Sequence, residues 1–197
     1  YILDTLPEAL RPGMAQVLWP EGNGPAAGAL RRAEALSAVI EIAQQRHTWI
    51  ASSFFLAEPD RHLLLMPWLP ARRVVADSGR STLTLALQAW HDDDRVRLAL
   101  PEANPTRQAF WTAPRADADG RGPLVTHAAP VVVADEVRGV VGADLRVPAL
   151  QALLAAPAGS PWQAWLVDAR GQVVVARPDV ADGEAAGHVL PDVVTPA

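Results

Sequence analysis

The sequence predicts an α/β fold built on an antiparallel sheet of five to six strands, with a long helix near its N-terminus. Three observations carry this. Leu30, Ala33, Leu36, Val39, Ile40 and Ala43 recur at three- and four-residue steps, the period of an amphipathic helix. Between residues 109 and 145, three short apolar segments are separated by tight polar turns, the pattern of an antiparallel meander. Two more apolar pairs, at 49–68 and 163–177, each enclose a polar turn and read as hairpins.

Taken in order, residues 1–18 read as weakly helical, broken by Pro7 and Pro12, and 19–25 as a loop rich in Gly and Pro. The amphipathic helix spans 28–47. A hairpin follows, Trp49–Ala57 and His62–Trp68 around a Pro59-Asp60 turn. Ser81-Thr82 can cap a helix that runs through Leu83, Leu85, Ala86 and Trp90 to about Asp93. The meander strands fall at about 109–115, 124–134 and 137–145. A short helix at 148–155, a linker at 156–161 and the hairpin at 163–177 complete the chain. Helix, hairpin, helix, meander is the order of a PAS-like fold.

Composition narrows the function. Half of the 197 residues are apolar and a fifth are charged, which is enough to bury a core. A net charge of −5 with no basic run disfavours nucleic acid as a partner. The chain has no cysteine, which excludes thiolate metal sites, a Cys nucleophile and disulfides. It has no lysine, which excludes a P-loop lysine and Schiff-base chemistry. No G-x-S-x-G elbow, H-E-x-x-H pair or phosphate loop is present, so no enzymatic activity, catalytic residue or cofactor is expected in this segment. No apolar run reaches 18 residues, and no signal peptide is visible. Tyr1 starts in mid-pattern and residues 188–194 stop as abruptly, so the chain is expected to be a piece of a longer protein.

Several residues invite a chemical reading. Asp144 ends an apolar strand, where a carboxylate must be paired, hydrogen-bonded, facing a cavity or capping a turn. Gly139 and Gly142 inside the same strand suggest close backbone approach or a bend. His91-Asp92-Asp93-Asp94 points in several directions on a helix and reads as a solvated helix end, not a metal site. Asp117-Ala118-Asp119-Gly120 suits a tight turn and lacks the later Glu of a calcium loop. Trp68 and Trp111 suit a core first and a ligand-stacking wall second. Thr126 and His127 are neighbours on one strand, so alternation points only one of them toward a given face.

Residues 104–145 carry a more specific pattern: Asn104-Pro105-Thr106-Arg107, Trp111-Thr112-Ala113-Pro114, Asp117–Gly122, Leu124-Val125-Thr126, Ala129-Pro130-Val131 and Arg138–Leu145 stand in succession. The series resembles the double Cache (PDC) extracytoplasmic sensor domains of bacterial transmembrane receptors. Those domains carry an NP-R segment, W-T-x-P, a D-x-x-G-x-G turn, V-T, A-P-V and G-V-V-G-x-D. The resemblance implies a membrane-distal PAS-like ligand-binding subdomain at 28–155 after an N-terminal helical and loop segment at 1–27. Residues 156–197 would be a partial or small membrane-proximal subdomain. It also implies the periplasmic side of the inner membrane, anchorage of the full-length protein, and a histidine kinase or diguanylate cyclase as output. A ligand-free dimerisation module of the same fold and an intracellular PAS-type module are the alternatives.

The resemblance also assigns a site. In the amino-acid-binding branch, the Asp of G-V-V-G-x-D and the Asp of P-Y-x-D hold the ligand amine, and these match Asp144 and Asp117. Arg115 replaces the Tyr of P-Y-x-D. The R-x-W-Y clamp for the ligand carboxylate has only Arg97 or Arg107 near it, with Ala99 and Ala109 where Trp would stand. An added arginine favours an anionic ligand, because guanidinium pairs with carboxylate in a planar, bidentate way. The expected ligand-binding set is therefore Asp144, Arg107, Trp111, Arg115, Asp117 and Thr126, around a small polar, carboxylate-bearing molecule held between the meander and residues 93–107. The stripe of the 28–47 helix is needed to cover the sheet, so the isolated domain is expected to dimerise weakly or not at all.

Overall fold

Residues 16–18 form a short strand, β1 (Gln16–Leu18), rather than a helical turn. It pairs antiparallel with the strand at 63–66, and burial of Gln16 and Leu18 against that apolar edge outweighs local preference. In the computed structural model the described residues are 15–20, 27–47, 49–57, 61–117, 122–154, 164–167, 171 and 173–176. The expectations for residues 1–14, the 58–60 turn, most of the 117–122 turn, the 156–161 linker and the chain beyond 176 lie outside them.

The amphipathic helix is α1 (Ala27–Arg46). The first hairpin is β2 (Ile50–Ala57) and β3 (Leu63–Met66), paired from Ser53↔Met66 to Leu56↔Leu63. Strand β3 and the second half of β2, residues 54–57, are apolar without alternation because they are buried on both faces, as strands sandwiched between layers are. Three helices follow, α2 (Ala71–Asp77), α3 (Leu83–His91) and α4 (Asp94–Arg97). The expected cap on α3 is present: Thr82 Oγ1 accepts from the Leu85 N–H at 3.3 Å. Helix α2 has no sequence signature because Arg72-Arg73-Val74-Val75 is a weak helical pattern. Burial of Val74 and an Arg73–Asp77 ion pair one turn apart hold it.

The expected strand at 109–115 is two short ones, β4 (Phe110–Trp111) and β5 (Arg115–Ala116), both on the edge of β6 (Pro123–Val133). Trp111 pairs with His127 and Arg115 with Leu124, so four steps on one side answer three on the other. That extra residue is a bulge, and it reverses which face the side chains take. Thr112 holds it: its N–H donates to the Thr126 carbonyl, and its hydroxyl accepts from the Thr126 N–H at 3.1 Å. Strand β7 (Glu136–Arg146) closes the meander and leads into α5 (Val147–Leu153). The second hairpin is β8 (Trp165–Val167) and β9 (Val173–Ala176).

The main sheet runs β1-β3-β2-β7-β6-β4, with β5 also on β6, and every pairing is antiparallel. The first hairpin thus joins the last meander strand at the centre, the PAS-like arrangement, in seven strands where five or six were expected. One face packs Phe54, Leu56, Leu65 and Val140 against Val74, Ala86, Leu87 and Val96 of α2–α4. The other face is covered twice. Leu36 and Ile40 of α1 pack on Phe55, Leu64 and Met66, while α5 and the second hairpin cover Val125 and Leu145. Val39 and Ile42 of α1 face outward.

The two strand glycines mark close approach, as their sequence suggests. A Cβ on Gly142 would lie 2.6 Å from Phe54 Cζ and 3.0 Å from the Ala128 Cβ, and one on Gly139 would lie 2.5 Å from the Leu56 carbonyl. Phe54 is fully buried and has nowhere to move. We expect Gly142→Ala to cost about 1–3 kcal/mol through overpacking. The check is a urea titration, in which the midpoint should fall with the slope unchanged.

Candidate functional site

Asp144 lies in the middle of the sheet and is 3 % exposed. On β7 it stands between Ser52 of β2 and Thr126 of β6, its partners in register on either side. Antiparallel partners point to the same face, so the three side chains converge. The Ser52 hydroxyl donates to one carboxylate oxygen at 2.7 Å, and the fully buried Thr126 hydroxyl donates to the other at 2.6 Å. Arg115 of β5 then places Nη2 2.8 Å from the oxygen that Ser52 also holds.

A second arginine stands close by. Arg95, at the start of α4, is 7 % exposed and grips Asp93 with Nε at 2.8 Å and Nη2 at 3.1 Å. Its guanidinium stacks 3.7 Å above the Trp90 ring centroid and 5.7 Å from that of Phe54. Asp93 also caps α4 by accepting from the Arg95 N–H at 2.9 Å. It is therefore not the solvated helix end that the run His91–Asp94 suggests, because the turn between α3 and α4 directs it inward to a buried cation.

Burial works against ionisation of Asp144 and is the largest single influence on it. The charges of Arg115 and Arg95 and the hydroxyl donors of Thr126 and Ser52 together outweigh it, holding the carboxyl below its ordinary value of 3.8. Burial opposes ionisation of Asp93 in the same way, and the hydrogen bonds and charge of Arg95 overcome it.

These groups face a cavity of about 500 Å³ between the sheet and α2–α3, within the range of about 300–1,000 Å³ typical of small-molecule sites. Its floor is Ser52, Leu65, Leu124 and Asp144; its walls are Leu69, Val74, Asp77, Trp90, Asp93, Arg95, Arg115 and Asp117. Arg115 Nε is buried against it with no hydrogen-bond partner among the described residues. The chemistry on offer is an unmet guanidinium donor, a neutralised carboxylate, an aromatic wall and aliphatic packing.

Of the six residues named from the sequence, four come together here: Asp144, Arg115, Asp117 and Thr126. Asp117 also has a turn role, its N–H donating to the Gly122 carbonyl. Thr126, rather than His127, takes the cavity side of the sheet. Two residues are elsewhere. Trp111 lies on the opposite face, packed with Val125 and Leu145 and stacked on His127 at 4.6 Å, because the bulge between β4 and β5 turns Trp111 and Arg115 to opposite sides. Arg107 is roughly 30 Å along the strand from Asp144, where it holds the turn after β6 through the Asp135 carboxylate and carbonyl, both at 2.9 Å. The outer wall of the cavity is likewise α2, α3 and residues 93–95, not the whole stretch to 107.

Sequence reasoning did not find Ser52, Trp90, Asp93 or Arg95. The available signal was Val96, Leu98 and Ala99 directly after the acidic run, apolar residues that bring the turn carrying Arg95 against a core.

The solved structures similar to this chain include ligand-binding domains of Pseudomonas chemoreceptors. The domain of Pseudomonas fluorescens CtaA, solved with L-valine, is 24 % identical over 69 % of this chain and 53 % of its own, with a TM-score of 0.43. That of Pseudomonas aeruginosa PctB, solved with L-Gln, is 20 % identical over 75 % and 53 %, at 0.48. That of Pseudomonas aeruginosa PctC, solved with GABA, is 19 % identical over 80 % and 60 %, at 0.43. The chain spans about half the length of these domains. No family model and no curated protein matches the sequence. No helix among the described residues is long and apolar enough to cross a membrane.

The electrostatics of Asp144 set a pH dependence. Its folded value is lowered, so the unfolded chain takes up a proton first as pH falls. The stabilisation is therefore complete above the ordinary value of 3.8 and is lost as pH drops through it toward the folded value. We expect Asp144→Asn to cost about 2–3 kcal/mol at neutral pH, the lower side of a broken buried pair because Arg115 is partly exposed. The same variant should flatten the fall in Tm between pH 5 and about 3. Thermal melts of both proteins across that range would show it, and parallel curves would contradict this account.

Proposed function

We propose that this chain is the extracytoplasmic small-molecule sensor domain of a bacterial membrane receptor, and that the cavity beside Asp144 holds a small polar ligand bearing a carboxylate. One observation carries the ligand class: a guanidinium in the cavity wall, Arg115, with a buried donor that has no acceptor among the described residues. A buried donor without a partner loses stability, and a ligand carboxylate would supply what it lacks. The motif series at 104–145 supports the receptor class by resemblance. In this reading the distal unit is 28–155, and the receptor sits on the periplasmic side of the inner membrane. Its output is a kinase, a cyclase or another cytoplasmic signalling domain.

A ligand-free module of the same fold is the competing reading. It calls for a dry, aliphatic cavity, whereas this one is walled by two arginines and by aspartates. Ligand binding could signal only through a difference in affinity between two states of the domain.

The test is a thermal-shift screen of small mono- and dicarboxylates on the purified domain. A ligand at 100 times its Kd should stabilise the fold by about 2.7 kcal/mol. Arg115→Ala should abolish that shift, while Arg107→Ala, distant from the cavity, should leave it intact. If Arg107→Ala abolishes the shift and Arg115→Ala does not, the site is not this cavity.

A further inference from the structure

We propose that Arg115 is the specificity-determining residue of this cavity: it supplies the cation for Asp144 from within the protein, and so selects carboxylates that carry no ammonium group close to the carboxylate. This rests on the reading of the cavity as a ligand site and adds to it the class of ligand admitted.

Three donors already occupy three of the roughly four acceptor positions of the Asp144 carboxylate. One oxygen of Asp144 takes the Thr126 hydroxyl; the other takes the Ser52 hydroxyl and Arg115 Nη2. Both hydroxyls come from neighbouring strands in register, so the sheet itself holds each of them beside Asp144. A ligand ammonium reaching Asp144 would have to displace Arg115 or sit beside it. Displacement leaves a guanidinium in a cavity wall without its counter-ion. Sitting beside it puts two cations on one carboxylate, with Arg95 a third close by, and buried like charges repel strongly. A ligand carboxylate meets neither obstacle, since it can accept from Arg115 Nε, a buried donor at the cavity with no partner among the described residues. Asp93 is no substitute partner for an ammonium, because both its oxygens are engaged by Arg95.

The experiment compares matched ligands that differ only by an ammonium group, butyrate with 2-aminobutyrate and succinate with aspartate, together with butylammonium. Binding to the intact domain is measured by calorimetry and thermal shift for wild type, Arg115→Gln and Arg115→Lys. Arg115→Met takes the place of the Gln variant if the latter does not fold. Removing the guanidinium should raise the affinity ratio of the ammonium-bearing member to its partner by at least about tenfold, equivalent to ~1.4 kcal/mol. Lys keeps a cation on Asp144 and should retain the wild-type ratio. Asp117 is present in all the proteins, so the change in ratio reports Arg115 alone. Ammonium compounds that bind only once Arg115 is neutralised support the proposal equally. A ratio unchanged in the Gln or Met variant, or shifted as far by Lys, overturns it while leaving the cavity a ligand site. Silence of every protein toward every compound overturns the sensor reading itself.

Discussion

A single buried carboxylate organises this molecule. Asp144 sits at the centre of a sheet between two layers of structure, where an uncompensated charge would be strongly destabilising. Its compensation comes from every direction: a hydroxyl from β2, a hydroxyl from β6, a guanidinium from β5, and the field of a second guanidinium from α4. Satisfying one carboxylate therefore places four elements relative to each other. The register of β2 and β6 on β7 must be the one that sets Ser52 and Thr126 beside it, since a slip of one residue would send both to the other face.

The division of the two faces follows. On one side of the sheet an apolar cluster around Phe54 packs on α2–α4, and the cavity opens where that cluster gives way to Asp144 and the arginines. Trp90 serves both regions. Its ring meets Phe54 edge-on at 5.4 Å and carries Arg95 on its face at 3.7 Å, so the apolar core positions the cation that borders the cavity. The reverse side is a conventional core, with α1, α5 and the second hairpin covering aliphatic side chains. Gly142 holds these arrangements together by letting β7 lie close under Phe54.

Much of the fold was legible because it is written in local periodicity. The helix from 27, the hairpin of β2 and β3, the cap at Thr82 and the long strands β6 and β7 all follow from spacing, turn residues or capping chemistry within a few positions. Where the reading failed, tertiary contacts overrode weak local signals. Strand β1 exists because β3 offers an apolar edge, and α2 exists because Val74 has a core to enter. Asp93 turned inward for the same reason, drawn by a buried arginine that helical geometry alone could not reveal.

The sequence by itself determined the antiparallel α/β class, the strand that carries Asp144, the demand that this carboxylate be compensated, and the rule that only one of Thr126 and His127 faces the cavity. Each of these is a matter of period, alternation or the cost of burying a charge. Only the tertiary structure decided which cations answer that demand. The motif placed Trp111 and Arg115 four residues apart, and unbroken alternation would have sent both to one face. One extra residue held by Thr112 sends Trp111 to the reverse core and Arg115 to Asp144. Arg107, equally plausible as a string of letters, is carried to the far turn and Asp135, while Arg95 arrives from a helix with no motif at all. Period and alternation are properties of a strand or helix taken alone, whereas the meeting of distant charges depends on how the elements are packed.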